Sequence, residues 1–260
     1  MAAPVDAALL GFANTLADAS GAIIRRYFRR GVAIDDKPDQ SPVTIADREE
    51  ERELRRLIEA QFPDDGILGE EFGVTRADAK RIWVLDPIDG TKSFISGVPL
   101  FGTLIALTEA GRPIMGVIDQ PISRERWIGA SGHASTLNGA PIRVRACAAL
   151  SAATLFATSP DLFHDAEIEG FHRLRSAVKL ARYGADCYAY GLLAAGFIDL
   201  VVEASLKPWD YCAMVPVIEG AGGLVTDWEG APLGLRSGSR IVAAGDPALL
   251  ASARTLLMGT

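Results

Sequence analysis

Two carboxylates three residues apart, Asp86 and Asp89, stand in the string Asp86-Pro87-Ile88-Asp89-Gly90-Thr91, where a short apolar run opens into a loop. Carboxylates gathered in this way need a cation. Hard oxygen ligands suit Mg²⁺, and the backbone carbonyl of Ile88 offers one more from the same turn. Residues 90–94, Gly-Thr-Lys-Ser-Phe, can begin a helical turn whose N–H groups face an anion. Metal and phosphate then meet in one place. Asp-Pro and Asp-Gly taken singly are ordinary turn formers; their joint occurrence after an apolar strand is what points to a site.

Further acids are candidates for the same cluster. Gly69-Glu70-Glu71-Phe72-Gly73 follows the apolar pair Ile67-Leu68, so a glutamate can project from a strand end, although a lone glutamate is more commonly solvated. Asp47 with Glu50 reads as an N-cap and capping box, as a site residue, or as both. Asp210 precedes a helix and is either its cap or a further acid. Lys92 either meets phosphate or faces solvent.

Elements that could position these residues are legible in the hydrophobic pattern. Residues 7–30 place apolar side chains at helical spacing and end in Arg25, Arg26, Arg29 and Arg30, which suit the negative end of a helix dipole, with Gly31 as a stop. A loop over 35–42 delivers Thr44 and Asp47 to a charged, exposed helix over 48–62. The run 82–85, Ile-Trp-Val-Leu, predicts a buried strand ending on Asp86 and Pro87, and strands follow over 101–107, 113–119 and 125–128. Beyond residue 154, strands over 155–158, 178–183, 198–203, 223–227 and 240–243 alternate with helices over 161–176, 187–195, 211–220 and 247–258. This order predicts an α+β subdomain over 1–147, which holds most candidate metal ligands, joined to an α/β subdomain over 148–260. The junction falls near 146–151, and with no repeat or long linker the halves share an interface.

Composition narrows the function. Of 260 residues, 49% are hydrophobic, enough for a substantial core. A formal net charge of −7 argues against a nucleic-acid partner, which needs clustered Lys and Arg. The start, Met1-Ala-Ala-Pro-Val-Asp6, lacks the cationic lead of an export signal, and apolar runs are interrupted before the ~20 residues of a bilayer span, so a cytoplasmic protein with no membrane partner is expected. Cys147, Cys187 and Cys212 form no C-x-x-C pair and read as reduced packing residues. His133, His164 and His172 fit no hydrolase motif and read as surface residues. Gly220-Ala-Gly222-Gly223 follows a helix and precedes a strand, the wrong order for a nucleotide loop, and reads as a helix C-cap.

Four separated motifs, Asp39-Gln-Ser-Pro-Val-Thr44-Ile-Ala-Asp47, Gly69-Glu70-Glu71, Trp83-Val-Leu-Asp86-Pro-Ile-Asp89-Gly-Thr91 and Trp209-Asp210, resemble the inositol monophosphatase family in order and spacing. The resemblance spans nearly the whole chain. Within the family, the run 86–103 and Gly184-Ala-Asp-Cys-Tyr-Ala-Tyr-Gly191 are most similar to the histidinol-phosphatase branch. It implies a layered α/β/α/β/α sandwich, commonly homodimeric, that hydrolyses a small phosphate monoester with two to three Mg²⁺ ions. On this basis Glu70, Asp86 and the Ile88 carbonyl hold one ion, Asp86, Asp89 and Asp210 a second, and a third, weaker ion sits beside Glu70. Thr91, hydrogen-bonded to Asp47, orients and helps deprotonate the attacking water, while the N–H groups of Gly90 and Thr91 cradle phosphate. Asp186 and Glu203 select the substrate; two carboxylates outside the metal cage suit the ammonium and imidazole of histidinol phosphate, although Glu203 alone does not discriminate. Inositol monophosphatase, 3′,5′-nucleotide bisphosphatase, fructose bisphosphatase and a non-catalytic metal- or phosphate-sensing partner are the alternatives.

Overall fold

Asp6 fixes the start of the first helix by accepting a hydrogen bond from the Leu9 N–H at 2.8 Å, and α1 runs over Ala7–Tyr27. The computed structural model describes residues 3–31, 33–36 and 42–259. Helix α1 stops before the last two arginines of the predicted run, because Phe28 leaves helical geometry to pack on Phe94 and Phe101. By length and composition α1 is apolar enough to cross a bilayer, which the interrupted runs did not suggest. Here its apolar stripe, including Leu9, Ala13 and Leu16, is buried in a core shared with Trp83 and Ile105. Strands β1 (Ile34–Asp36) and β2 (Pro42–Thr44) pair as a ribbon where a loop was expected; Asp39, with the rest of 37–41, lies outside the described residues.

Helix α2 (Ile45–Gln61) begins three residues earlier than its sequence pattern suggests. Thr44 is the N-cap, its hydroxyl accepting from the Ala46 N–H at 3.1 Å, and Asp47 closes the capping box from the N3 position by accepting from the Thr44 N–H at 2.8 Å. Asp47 is therefore neither N-cap nor partner of Glu50. Nor is the helix simply exposed: Glu50 and Glu51 are fully buried.

Eight strands form the first sheet: β3 (Gly66–Gly69), β4 (Gly73–Thr75), β5 (Arg81–Asp89), then, after the short helix α3 (Thr91–Ile95), β6 (Gly102–Glu109), β7 (Arg112–Gln120), β8 (Glu125–Ala130), β9 (Thr136–Leu137) and β10 (Ala140–Pro141). Their order is β10-β9-β8-β7-β6-β5-β3-β4. β5 extends beyond the predicted run as far as Asp89. Asp86 pairs with Leu104 but Asp89 with Gly102, so β5 carries one extra residue at Pro87-Ile88. Pro87 has no N–H for the ladder, and a bulge accommodates that lack.

The second sheet has order β12-β11-β13-β15-β14 and is threaded by helices: β11 (Thr154–Ala157), α4 (Ala166–Ala177), β12 (Leu180–Tyr183), α5 (Asp186–Ala194), β13 (Leu200–Glu203), α6 (Pro208–Tyr211), α7 (Met214–Gly220), β14 (Leu224–Asp227), β15 (Ile241–Ala244) and α8 (Pro247–Met258). The single helix expected over 211–220 is two pieces, and α4 starts late because Pro160–Leu162 forms a 3₁₀ turn first. Helices α1 and α2 cover one face of the first sheet, α5 and α7 lie between the sheets, and α4 and α8 pack together, with α8 against β15. This is an α/β/α/β/α layering. Its middle core mixes Val84 and Ile118 with Val201 and Ala243 around Tyr190 and Trp127.

Close approach of the middle helices depends on glycine. A Cβ on Gly116 of β7 would lie 1.9 Å from the Ala213 carbonyl oxygen, and one on Gly129 of β8 would lie 2.2 Å from that of Pro216. Gly116→Ala is expected to destabilise the protein by about 1–3 kcal/mol, as overpacked cores are. Urea denaturation measures this as a lowered midpoint; an unchanged midpoint would show that the α6–α7 joint is not seated on the sheet.

Candidate active site

The β5 bulge turns Asp86 and Asp89 into the space that α6 enters from the second half of the chain. Asp86 is 2% exposed, while Asp89 and Asp210 are half-buried. One carboxylate oxygen from each of the three lies within 4.8 Å of the others. Asp210, at the third position of α6, accepts from the Lys207 N–H at 2.7 Å, so cap and site residue are one role. Asp89 accepts from the Cys187 N–H at 2.6 Å, which ties the bulge to the start of α5.

A cation fits this group. Asp86 Oδ1 is buried without a hydrogen-bond partner. Burial, followed by the charges of Glu70, Asp89 and Asp210, pushes the Asp86 carboxyl well above the usual carboxylate range. Burial and then Asp186 and Asp210 do the same to Asp89. Asp210 is raised to about 7, again chiefly by burial, with Glu70 adding to it. Clustered carboxylates of this kind suit a divalent hard cation better than any neutral ligand.

Glu70 sits in the turn between β3 and β4, where its N–H reaches the Leu85 carbonyl at 3.2 Å and prolongs the β3–β5 pairing toward Asp86. Ile88 is buried and its carbonyl accepts from the Thr91 hydroxyl at 3.1 Å. This differs from the expected Thr91–Asp47 bond. Asp47 Oδ2 is instead taken by the Thr44 N–H at 2.8 Å and the Thr44 hydroxyl at 2.6 Å, the geometry of the helix cap. Gly90 has φ +88°, which favours glycine, and opens α3 next to Thr91.

Asp186 and Glu203 lie on the second half but are not equivalent. Asp186 begins α5 with φ +44°, is half-buried, and accepts from the Ser93 hydroxyl at 2.9 Å. Its carboxyl lies against Gly90, where an added Cβ would be 2.9 Å from Asp186 Oδ2. Glu203 is 1% exposed and ends β13; its Oε1 accepts from the Thr158 N–H at 2.8 Å and hydroxyl at 2.9 Å. Burial raises its carboxyl to about 8. Glu203 Oε2 and the Tyr190 hydroxyl are both buried without partners, and Tyr190 stands one turn after Asp186 on α5.

Several supporting residues escaped sequence reasoning. Thr103 Oγ1 lies 2.8 Å from Glu50 Oε1, 3.0 Å from the Pro87 carbonyl and 2.6 Å from Ser20 Oγ. One hydroxyl proton cannot serve both acceptors. Burial holds the Glu50 carboxyl well above its ordinary range, the Ser20 and Thr103 hydroxyls oppose that rise, and Thr103 links the acid to the bulge carbonyl. Ser93 and Thr158 have similar roles at Asp186 and Glu203. The only available signal was a threonine or serine in an apolar run, which is common in any strand. Lys92 is exposed, near enough to Asp186 to lower its proton affinity. His133, His164 and His172 are exposed, the cysteines are unpaired thiols, and Gly222-Gly223 closes α7, with the Gly223 N–H on the Ile218 carbonyl at 3.0 Å.

The model of the inositol monophosphatase family matches residues 6–257. The chain belongs to that family. Its layered fold is the family's, and it is a phosphatase of a family that acts on small phosphate monoesters; enzymes of the family are metal-dependent, typically on Mg²⁺, and the group of Asp86, Asp89 and Asp210 could bind such an ion. A solved structure of an inositol monophosphatase from Zymomonas mobilis superposes with a TM-score of 0.88 at 47% identity, covering 95% of this chain and 96% of that one. The chloroplastic bifunctional phosphatase IMPL2 of Arabidopsis thaliana is 56% identical over 219 residues, 84% of this chain and 63% of that protein's length. A histidinol-phosphatase of Chlorobaculum parvum is 40% identical over 223 residues, 85% of this chain and 86% of that one.

Raised carboxyl groups give the metal-free protein a defined pH response. Asp210 and Glu203 hold protons in the fold that they lose when unfolded, so their contribution is complete below about pH 4 and is lost as pH rises through about 7 and 8. In EDTA the melting temperature is expected to fall between pH 6 and pH 8.5. Mg²⁺ at 100 times its Kd adds about 2.7 kcal/mol and should reverse the fall. Asp86→Asn should abolish that Mg²⁺ effect; thermal scans that show it intact would remove Asp86 from the metal site.

Proposed function

We propose that the chain is a histidinol-phosphate phosphatase of histidine biosynthesis, cytoplasmic and homodimeric, that converts L-histidinol phosphate and water to L-histidinol and phosphate. The observation that carries this reading is the Asp186 carboxyl, anchored by Ser93 and set against Gly90 at the edge of the acidic cluster. A cationic substrate group finds a carboxylate there beside the phosphate position.

Glu70, Asp86 and the Ile88 carbonyl would hold one Mg²⁺, Asp86, Asp89 and Asp210 a second, and a third, weaker ion would bind beside Glu70. Mg²⁺ bound there supplies the positive charge that neutralises the phosphate and makes a nearby water more acidic. Thr91 gives its own proton to the Ile88 carbonyl and so presents lone pairs that accept from the attacking water and aim it at phosphorus. The N–H groups of Gly90 and Thr91, outside the hydrogen bonds of α3, receive the phosphate oxygens. Asp47 acts through the helix cap, holding the start of α2 beside Glu70.

Inositol monophosphatase is the second reading, and one observation favours it. Glu203, raised to about 8 by burial, keeps its proton at neutral pH and offers a hydroxyl-like partner better suited to a polyol than to an ammonium. Phosphate release from histidinol phosphate, inositol 1-phosphate and a 3′,5′-nucleotide bisphosphate, each with Mg²⁺ and with EDTA, separates the readings. A preference for histidinol phosphate of at least tenfold in kcat/KM is expected. Asp186→Ala should lower that value about 10- to 100-fold, as loss of a charged hydrogen bond does, and change the inositol phosphate rate less than threefold. Equal losses on both substrates would overturn the specificity assignment, and no turnover of any would favour a non-catalytic sensing partner. Light scattering tests the dimer.

A further inference from the structure

Asp47, Glu51 and Arg55 follow at four-residue spacing along α2 and form one stripe of the helix. Asp47 caps the helix, but the other two look outward to the turn that bears Glu70. Glu51, fully buried, spends its carboxyl on that turn: Oε2 accepts from the Glu71 N–H at 2.7 Å, and Oε1 from the Phe72 N–H at 3.2 Å and Arg55 Nε at 2.7 Å. Arg55 continues across the turn, with Nη2 donating to the Gly73 carbonyl and Nη1 3.4 Å from the Thr75 hydroxyl. The approach is possible only because residue 69 is glycine; a Cβ there would lie 2.0 Å from Glu51 Oε1.

The turn has further contacts in the Glu70 N–H on the Leu85 carbonyl at 3.2 Å and the Arg52 guanidinium 5.0 Å from the centre of the Phe72 ring. The β3–β4 register ends at Gly69 opposite Gly73, so the N–H groups of Glu71 and Phe72 lie beyond the ladder. β4 is a three-residue edge strand, with Val74 53% exposed and Phe72 42% exposed. Two charged side chains of α2 bond the Glu71 and Phe72 N–H groups and the Gly73 carbonyl directly.

We propose that Glu51 and Arg55 form a positioning clasp that fixes the β3–β4 turn and, through it, the distance between the Glu70 carboxyl and Asp86. Neither residue touches substrate. The clasp sets how tightly a divalent cation is held rather than how the ester is cleaved. The proposal rests on reading Glu70 as a Mg²⁺ ligand.

The test compares Arg55→Met, Arg55→Lys and Glu70→Gln with the parent protein by amide hydrogen exchange and by Mg²⁺ titration calorimetry, with steady-state kinetics alongside. Arg55→Met should speed exchange of the Glu71 and Phe72 amides at least tenfold without changing amides of β6 and β7. It should weaken Mg²⁺ binding and raise the Mg²⁺ needed for half-maximal rate about fivefold or more, while kcat and KM at saturating Mg²⁺ stay within twofold. Arg55→Lys keeps the charge but loses the forked contact to Gly73, so it should recover part of the Mg²⁺ affinity and provides a milder variant should Arg55→Met fold poorly. Unchanged Mg²⁺ binding in both Arg55 variants with weakened binding in Glu70→Gln would overturn the clasp. Unchanged binding in Glu70→Gln as well would overturn the assignment of Glu70 itself, and the clasp with it.

Discussion

Mutual repulsion among Glu70, Asp86, Asp89 and Asp210 is the constraint around which the rest of the structure is arranged. Asp86 stands in the middle, almost without access to water, with an oxygen that no protein donor satisfies. A group of acids so placed favours protons or a cation over an empty negative charge, and it opposes the packing that brings it together. Each acid is accordingly held by a backbone device. The bulge in β5 presents Asp86 and Asp89, the first turn of α6 holds Asp210 through the Lys207 N–H, and the β3–β4 turn delivers Glu70.

These devices come from both halves of the chain, and the middle layer joins them. The α6–α7 joint seats on Gly116 and Gly129, which lets Asp210 approach the strand that carries Asp86. The α5 start is tied to Asp89 through the Cys187 N–H, and Asp186 lies beside Gly90. Behind the bulge, Thr103 of β6 reaches the Pro87 carbonyl and is itself bonded to Ser20 of α1 and Glu50 of α2. Groups from the two halves thus share supports, so a change in one half is felt in the other.

Much of this was legible in the residues. The Asp86-to-Thr91 string, most strands and the last helix could be read directly, because local turn chemistry and period-two or helical patterns fix them, whereas Glu70 and Asp210 were singled out only by the resemblance of four separated motifs. The misreadings have a common physical source in long-range contacts. The charged run after Asp47 looks like a solvated helix face, yet Glu50 and Glu51 find donors on β6 and the β3–β4 turn. Thr44 and Asp47 are both good caps, and only the folded geometry gives Thr44 the N-cap position. Thr91 and Asp47 were expected to meet, but each is satisfied locally by Ile88 and Thr44. The bulge at Pro87 depends on the register of β6, which no local sequence encodes.

Binding of Mg²⁺ to the repelling carboxyl groups must expel the protons they hold, because a protonated acid is a poor ligand. Titration calorimetry of the metal-free protein in buffers of different ionisation enthalpy counts those protons directly. At pH 7, where Asp210 is near half-protonated and burial raises Asp86 and Asp89 as well, proton release on Mg²⁺ binding is expected, declining toward pH 9. Mg²⁺ binding without proton release, or no binding at all, would contradict a metal site built on the repulsion around Asp86.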